Sequence, residues 1–292
     1  METILIATDF SAAARTATLY GFKLAKSIHA KVVLFTAYQA PAVYPDGSVF
    51  ISPDDNERMY FKKLLEEAEA LDPLRTVALE TECYNGPITD SILAVAEEKN
   101  AAYIIVGMKG SGREMRKFFG STVTYLCKKS FIPVIVVPEE AAFSIPKTIA
   151  LASDINEDSD IHILKPFKKL ALNFNSRVFI VKVIKKSMDQ AVERLVRPER
   201  LKDFLSFVNY TFEYLEGDNV AKAMNTFVKQ HAVDMVAVIP HEHTLIERLF
   251  TRSVTKDLVF HSHVPLLIIP SIISESTNAE NKLISTNAVY AV

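Results

Sequence analysis

Residues 103–130, YIIVGMKGSGREMRKFFGSTVTYLCKKS, place an apolar run, a glycine-rich loop and an apolar-periodic helix in direct succession. The chain has 8 glycines, and 4 of them lie in this stretch, at Gly107, Gly110, Gly112 and Gly120. Glycine allows backbone angles and close approaches that other residues resist, so the clustering indicates that the main chain approaches another group here. Since ligands of open α/β sheets bind beyond the carboxyl ends of the strands, the stretch predicts a ligand loop.

The helix that follows the loop indicates which kind of ligand the loop would bind. It begins at Ser121 and Thr122, whose hydroxyls can donate hydrogen bonds beside the unpaired N–H groups of a helix N-terminus. Basic residues outnumber the single acidic residue along the loop, which also favours an anion. The pattern therefore predicts phosphate binding.

Apolar runs of strand length recur along the chain and predict two series of parallel strands. The first series is ILIA (4–7), VVLF (32–35), YIIVG (103–107) and VIVV (134–137), with a weaker strand at 78–84. The second series is IALA from residue 149, VFIV from 178, MVAVI from 235 and LLII from 266. The runs do not alternate with polar residues, which is typical of strands covered by helices on both faces. Helical patterns fall between the strands, at 11–28, 56–71, 87–100 and from Ser121 onward.

The two halves of the chain align with each other. ILIATDF (4–10) matches IALASDI (149–155), so Asp9 corresponds to Asp154, and Gly86 corresponds to Gly217. Residues 102–138 match residues 234–270 without a gap. A repeat of this length predicts a duplicated α/β domain, that is, two tandem doubly wound (Rossmann-like) domains with five-stranded parallel sheets flanked by helices. We place the domains at residues 1–141 and 145–273, followed by a C-terminal tail at 274–292.

The last strand of each repeat predicts how the repeats assemble. PVIVVP (133–138) and PLLIIP (265–270) are apolar and bracketed by prolines, and such edge strands tend to pair with one another. We expect the two repeats to form an intrachain pseudo-dimer. A further homodimer of the whole chain is left open by the sequence.

Composition narrows the function classes. Hydrophobic residues make up 49%, charged residues 23%, and the formal net charge is -2, so no basic excess suggests a nucleic-acid partner. The N-terminus lacks the pattern of a signal peptide, and no apolar run is long enough to span a membrane. Two cysteines, Cys83 and Cys127, are too few for a disulfide framework. We expect a cytoplasmic protein with free thiols and no membrane partner.

The spacing Gly107-x2-Gly110-x9-Gly120-Ser121 resembles the nucleotide signature of the ATP-binding universal stress proteins, and the resemblance extends over both repeats. It implies a stress-response protein with an adenine nucleotide as ligand: ATP, with or without Mg²⁺, bound by the first repeat. On the adenosine side it implies Ala7, Thr8 and Asp9, with Ala37 against the base. The residues that it implies around the phosphates and ribose are Gly107, Gly110, Gly120, Ser121 and Thr122, and it adds Val106 and Met108 to the nucleotide-binding residues. Asp9 has a second interpretation, as a cap for the helix that follows it.

The second repeat does not keep the glycines. Gly107, Gly110 and Gly120 are replaced by Ile239, Glu242 and Arg252, so we expect one nucleotide per chain. Pro166 stands where Gly21 stands in the first repeat and predicts a helix there that starts late or is kinked. The histidine pairs at 241–243 and 261–263 fall at opposite ends of their strands, and we expect no metal site.

Residues typical of catalysis are not evident in the sequence. Neither paired carboxylates nor a nucleophile elbow with its triad stands out. The sequence therefore favours a regulatory protein that binds ATP. Two alternatives stay open, a slow ATPase or nucleotidyl-transfer enzyme and an interaction scaffold that needs no nucleotide.

Overall fold

The computed structural model describes residues 1–38, 53–109, 121–152, 161–184, 199–217, 219–239 and 263–270. In these ranges strands and helices alternate, as the apolar runs predict. The described helices include none that is long and apolar enough to cross a membrane.

The first repeat contains five strands and four described helices. In chain order these are β1 (Thr3–Ala7), α1 (Ala12–Ile28), β2 (Lys31–Tyr38), α2 (Pro53–Leu71), β3 (Leu79–Asn85), α3 (Ile88–Glu98), β4 (Ala101–Met108), α4 (Ser121–Lys129) and β5 (Val134–Pro138). Ser11, the first residue of the helical pattern at 11–28, is the N-cap of α1, because its hydroxyl accepts the N–H of Ala14 at 3.2 Å. Pro87 is the residue before α3 rather than its first residue.

The described elements of the second repeat follow the order of the first as far as the strand at 235–238, and residues 240–262, between that strand and the last one, lie outside the described residues. The elements are β6 (Thr148–Ala152), a 3₁₀ turn (Ile161–Leu164), α5 (Lys165–Asn173), β7 (Arg177–Ile184), α6 (Glu199–Phe204), β8 (Asn209–Glu216), α7 (Val220–Gln230), β9 (Met235–Val238) and β10 (Leu266–Ile268). Helix α5 starts late, with Pro166 in its first turn, so the late start is the correct alternative of the two that the proline left open. The apolar runs did not locate β8, since its sequence NYTFEYLE mixes polar and apolar residues.

All ten described strands form one sheet in the order β3-β2-β1-β4-β5-β10-β9-β6-β7-β8. Strands within each repeat are parallel, whereas β5 and β10 pair antiparallel, with Ile135 opposite Leu267. The predicted intrachain pseudo-dimer is therefore confirmed. Because the central pair is antiparallel, the carboxyl ends of the two sets of strands point in opposite directions.

Each face of the sheet is covered by helices from both repeats. Ile4 and Ile6 point to the face covered by α1, α2, α5 and α6, and Leu5 and Ala7 point to the face covered by α3, α4 and α7. Successive residues of a strand point to opposite faces, so strands buried on both sides must be apolar throughout. Both clusters include residues of both repeats, and the two repeats therefore share one core on each face.

Equivalent glycines confirm the alignment of the repeats. The N–H of Gly86 donates to the carbonyl of Tyr38 at 2.9 Å, and the N–H of Gly217 donates to the carbonyl of Ile184 at 3.0 Å. Tyr38 and Ile184 are the last residues of the second strand of their repeats. In each half, the glycine after the third strand therefore makes the same hydrogen bond to the end of the second strand.

Candidate functional site

Strand order reverses in the first repeat between β1 and β4. From β1 the chain proceeds outward to β2 and β3, and then returns to the other side of β1 to form β4 and β5. In register, Ala7 lies opposite Phe35 of β2 on one side and Val106 of β4 on the other. Neighbouring strands are about 4.8 Å apart, so the ends of β1, β2 and β4 meet at one edge. This edge, which we call the switch edge, brings together the predicted residues 7–9, 37 and 106–108.

Thr8 anchors the turn from β1 to α1. It is 1% exposed, its N–H donates to the carbonyl of Phe35 at 2.8 Å, and its carbonyl accepts from the Thr36 hydroxyl at 2.8 Å. Its hydroxyl accepts the N–H of Phe10 at 3.0 Å and donates to Oε2 of Glu67 at 3.3 Å. Thr8 was predicted on the adenosine side, but its buried hydroxyl serves the turn itself.

Asp9 follows Thr8 and has an exposed side chain. Its Oδ1 accepts the N–H of Ser11 at 3.0 Å, one residue before α1 begins. The interpretation of Asp9 as the cap of α1 is therefore wrong, since Ser11 is the N-cap; the Asp9 carboxylate instead orders the turn that leads to that cap. Because the side chain is exposed at the switch edge, it is also available to a ligand there.

Gly107 has a packing reason that the sequence interpretation did not include. A side chain at this position would begin 2.3 Å from the carbonyl oxygen of Ala13 and 2.7 Å from the nitrogen of Ala14. Gly21 plays the same part further along α1, where a side chain would begin 2.4 Å from Cδ1 of Ile6. The two glycines let α1 lie closer to the sheet than a helix with side chains at these positions could. As a result, the first turn of α1 lies against the end of β4.

Helix α4 begins at Ser121, so the predicted helix start is correct. Ser121 is exposed and Thr122 half-buried, while Val123, Leu126 and Cys127 are buried and hold the helix on the sheet. Lys109, the residue after β4, is exposed and adds a positive charge near the same edge. The remaining predicted loop residues, Gly110, Gly112 and Gly120, lie outside the described residues.

Three residues of α2 contact the switch edge, and no sequence pattern singled them out. Tyr60 stacks on Tyr38 with ring centres 5.3 Å apart and lies 6.3 Å from the ring centre of Phe10. Lys63 places its Nζ 5.8 Å from the ring centre of Phe10 and 5.3 Å from that of Tyr60. The third is Glu67, through Thr8. Their spacing of three and four residues in the predicted helix placed them on one face, but it did not indicate what that face contacts.

The matching edge of the second repeat is built differently. Ile239, the counterpart of Gly107, is 1% exposed and belongs to the core. Pro166 replaces Gly21 at the start of the shorter α5. The other counterparts, Asp154, Glu242, Arg252 and Ser253, lie outside the described residues. The two glycines that let α1 approach the sheet are thus both missing from this repeat.

Neither cysteine is an activated nucleophile. Burial raises the pKa of the Cys83 thiol to about 11, and burial likewise raises the pKa of Cys127 well above its usual range. A thiol with a raised pKa is protonated and inert at neutral pH. Among the described residues, no group of three or more His, Cys, Asp or Glu side chains could hold a metal ion. His241, His243 and His261 lie outside those residues.

The chain is a duplicated, doubly wound α/β protein. Its first repeat has the two glycines that let α1 approach the switch edge, and its second repeat has replaced both. The model of the universal stress protein family matches residues 1–138 and 146–270. The chain therefore belongs to the universal stress protein family.

Individual relatives agree with this assignment. Universal stress protein Rv2624c of Mycobacterium tuberculosis is 32% identical over 160 residues, which is 53% of each protein, so the chain spans about half the length of the curated relatives it matches. A crystal structure of a universal stress protein from Archaeoglobus fulgidus matches 92% of this chain and 96% of its own, with a TM-score of 0.66 and 14% identity. The functionally unknown protein PA1789 of Pseudomonas aeruginosa matches 92% of each chain, with a TM-score of 0.61 and 10% identity. These two structures share the fold.

Proposed function

We propose that this chain is a stress-response regulatory protein that binds one ATP at the switch edge of its first repeat. The observation that carries the proposal is the convergence of three elements at the point where strand order reverses. These are the turn that presents Asp9, the first turn of α1 held against Gly107, and the end of β2 at Ala37. Open α/β sheets bind their ligands at such a point.

The groups at the switch edge suit the parts of ATP. Helix α4 begins there with Ser121 and Thr122, and a helix N-terminus with hydroxyls suits phosphate oxygens. Lys109 adds positive charge. Ala37 is half-buried and packs on the core, so it offers a small apolar surface to a base. Asp9 supplies a carboxylate acceptor for ribose hydroxyls.

Differences between the repeats favour a single nucleotide site per chain, in the first repeat. Ile239 fills the position that Gly107 leaves free, and α5 begins late. A nucleotide bound in the same way would lose the close approach of the first helix turn. We therefore assign the nucleotide to the first repeat and an assembly role to the second, through the β5–β10 pair.

The proposal predicts that Asp9→Asn weakens ATP binding by at least about tenfold, since a hydrogen bond to a charged group contributes about 1.5–3 kcal/mol and about 1.4 kcal/mol corresponds to a factor of ten. The amide keeps an oxygen that can accept the Ser11 N–H, so the turn survives while the charge is removed. Binding can be followed by thermal unfolding. At a ligand concentration of about 100 times Kd, ATP should stabilise the wild type by about 2.7 kcal/mol, or several degrees in Tm.

The matched control is Asp154→Asn, which removes the corresponding carboxylate of the second repeat. ATP should stabilise this variant as much as the wild type. An equal loss in both variants, or no loss in Asp9→Asn, contradicts the assignment to the first repeat. The same titration in EDTA reports whether Mg²⁺ contributes.

A further inference from the structure

Helix α2 contacts the carboxyl ends of β1 and β2, which lie on the proposed adenosine side of the site. Tyr60, Lys63 and Glu67 form this contact, which we call the α2 clamp. Tyr60 stacks on Tyr38, the residue after Ala37. Lys63 lies over the rings of Phe10 and Tyr60, and Glu67 accepts a hydrogen bond from Thr8. The α2 clamp therefore contacts Thr8 and Phe10, the residues immediately before and after Asp9.

Glu67 completes the hydrogen bonds of Thr8. The Thr8 hydroxyl has one hydrogen to donate, and it accepts the N–H of Phe10 with a lone pair. Donation to Oε2 of Glu67 fixes the rotation of the hydroxyl, which leaves a lone pair directed at Phe10. The other carboxylate oxygen, Oε1, is buried and has no hydrogen-bond partner in the described part of the chain. A carboxylate held in this way needs a structural or functional reason.

The turn after β1 requires the contacts of the α2 clamp because Phe10 has an unfavourable backbone conformation. Its φ is +63°, in the left-handed region that a bulky residue other than glycine seldom adopts. Such a conformation persists when surrounding contacts hold it. The N–H bond to Thr8 and the ring contacts of the α2 clamp are those contacts here.

We propose that Glu67 is a positioning residue for the nucleotide site: through Thr8 it fixes the turn that places Asp9 at the switch edge. The proposal rests on the proposed function, since it concerns the affinity of that same site. Glu67 acts through Thr8 and does not touch the nucleotide itself. At 3.3 Å its bond to Thr8 is longer than a typical O–H···O bond, so we expect an effect of about tenfold on affinity rather than a complete loss.

The test measures ATP affinity by calorimetry, and thermal stability separately, for four variants. Glu67→Met removes the acceptor, and Glu67→Gln keeps an acceptor oxygen for Thr8. Thr8→Val removes the hydroxyl from the other side. Glu66→Met is the matched control, because it removes an exposed carboxylate from the next position of the same helix.

We expect Glu67→Met to weaken ATP binding about tenfold. Thr8→Val should weaken it at least as much, because it also removes the acceptor of the Phe10 N–H, and the double variant should be no weaker than Thr8→Val alone. Glu67→Gln should stay within about threefold of the wild type, and Glu66→Met should match it. If Glu67 acts through Asp9, Asp9→Asn should cost less in the Glu67→Met background than in the wild type.

Two results overturn the proposal, and they are distinguishable. A wild type that binds ATP together with a Glu67→Met variant of unchanged affinity removes the positioning role and leaves the proposed function in place, whatever the change in Tm. A wild type that binds no ATP removes both. Should Glu67→Met fail to fold, the ATP affinities of Thr8→Val and Glu67→Gln decide the question. The proposal predicts weaker binding by Thr8→Val and nearly wild-type binding by Glu67→Gln, and unchanged affinity in Thr8→Val would overturn it.

Discussion

Replacing Gly107 by isoleucine, the residue that the second repeat has at the matching position, is expected to abolish ATP binding and to lower the free energy of unfolding by about 3 kcal/mol. The new side chain would begin 2.3 Å from the carbonyl oxygen of Ala13, and the contact is with backbone that cannot rotate away. Helix α1 must then move off the sheet. Urea unfolding and calorimetry measure the two effects in Gly107→Ile.

Gly217→Ala is the control for this prediction. A side chain at Gly217 would meet nothing closer than 3.6 Å, so we expect a change within about 0.5 kcal/mol and unaltered ATP binding. A Gly107→Ile variant with wild-type stability and affinity would show that the first turn of α1 need not lie against β4.

The second large effect is expected for Phe167→Ala, in the core of the second repeat. Phe167 lies in α5 of the second repeat, is 0% exposed and belongs to the core cluster that also contains Ile4 and Ile6 of the first. Truncation of a buried phenylalanine costs about 3–5 kcal/mol. Because the core is shared, the loss should lower the stability of both repeats together, in a single calorimetric transition.

Leu172→Ala provides the control on the same helix, because Leu172 is 43% exposed and its truncation should cost far less. Two separate transitions in Phe167→Ala, with the ATP-stabilised one unchanged, would contradict a shared core. They would indicate that the β5–β10 pair joins two independent units.

Much of the fold could be predicted from residue patterns. The uninterrupted apolar runs required strands covered on both faces, and the alignment of Asp9 with Asp154 required a duplication. The prolines around the last strands marked the two edges that pair, as β5 and β10 do. Strand β8 was harder to locate, because an edge strand that is only half-buried can keep polar residues.

The site was less predictable, since its contacts join residues far apart in the chain. Gly107 was interpreted as a phosphate contact, but its packing against Ala13 depends on the height of α1 above the sheet, which no local pattern encodes. Glu67 lies 59 positions from Thr8 in the chain. Helical spacing places Glu67 on the same face of α2 as Tyr60 and Lys63, but it does not indicate that this face contacts Thr8. The resemblance located the turn at Asp9 and did not indicate what holds it.

The most direct measurement is calorimetric titration of the full chain with ATP, ADP and AMP, beside a Gly120→Arg variant, which gives the first repeat the residue that the second has at the matching position. We expect about one ATP per chain, with binding lost in the variant. No binding by the wild type, or two equivalent sites per chain, would contradict it.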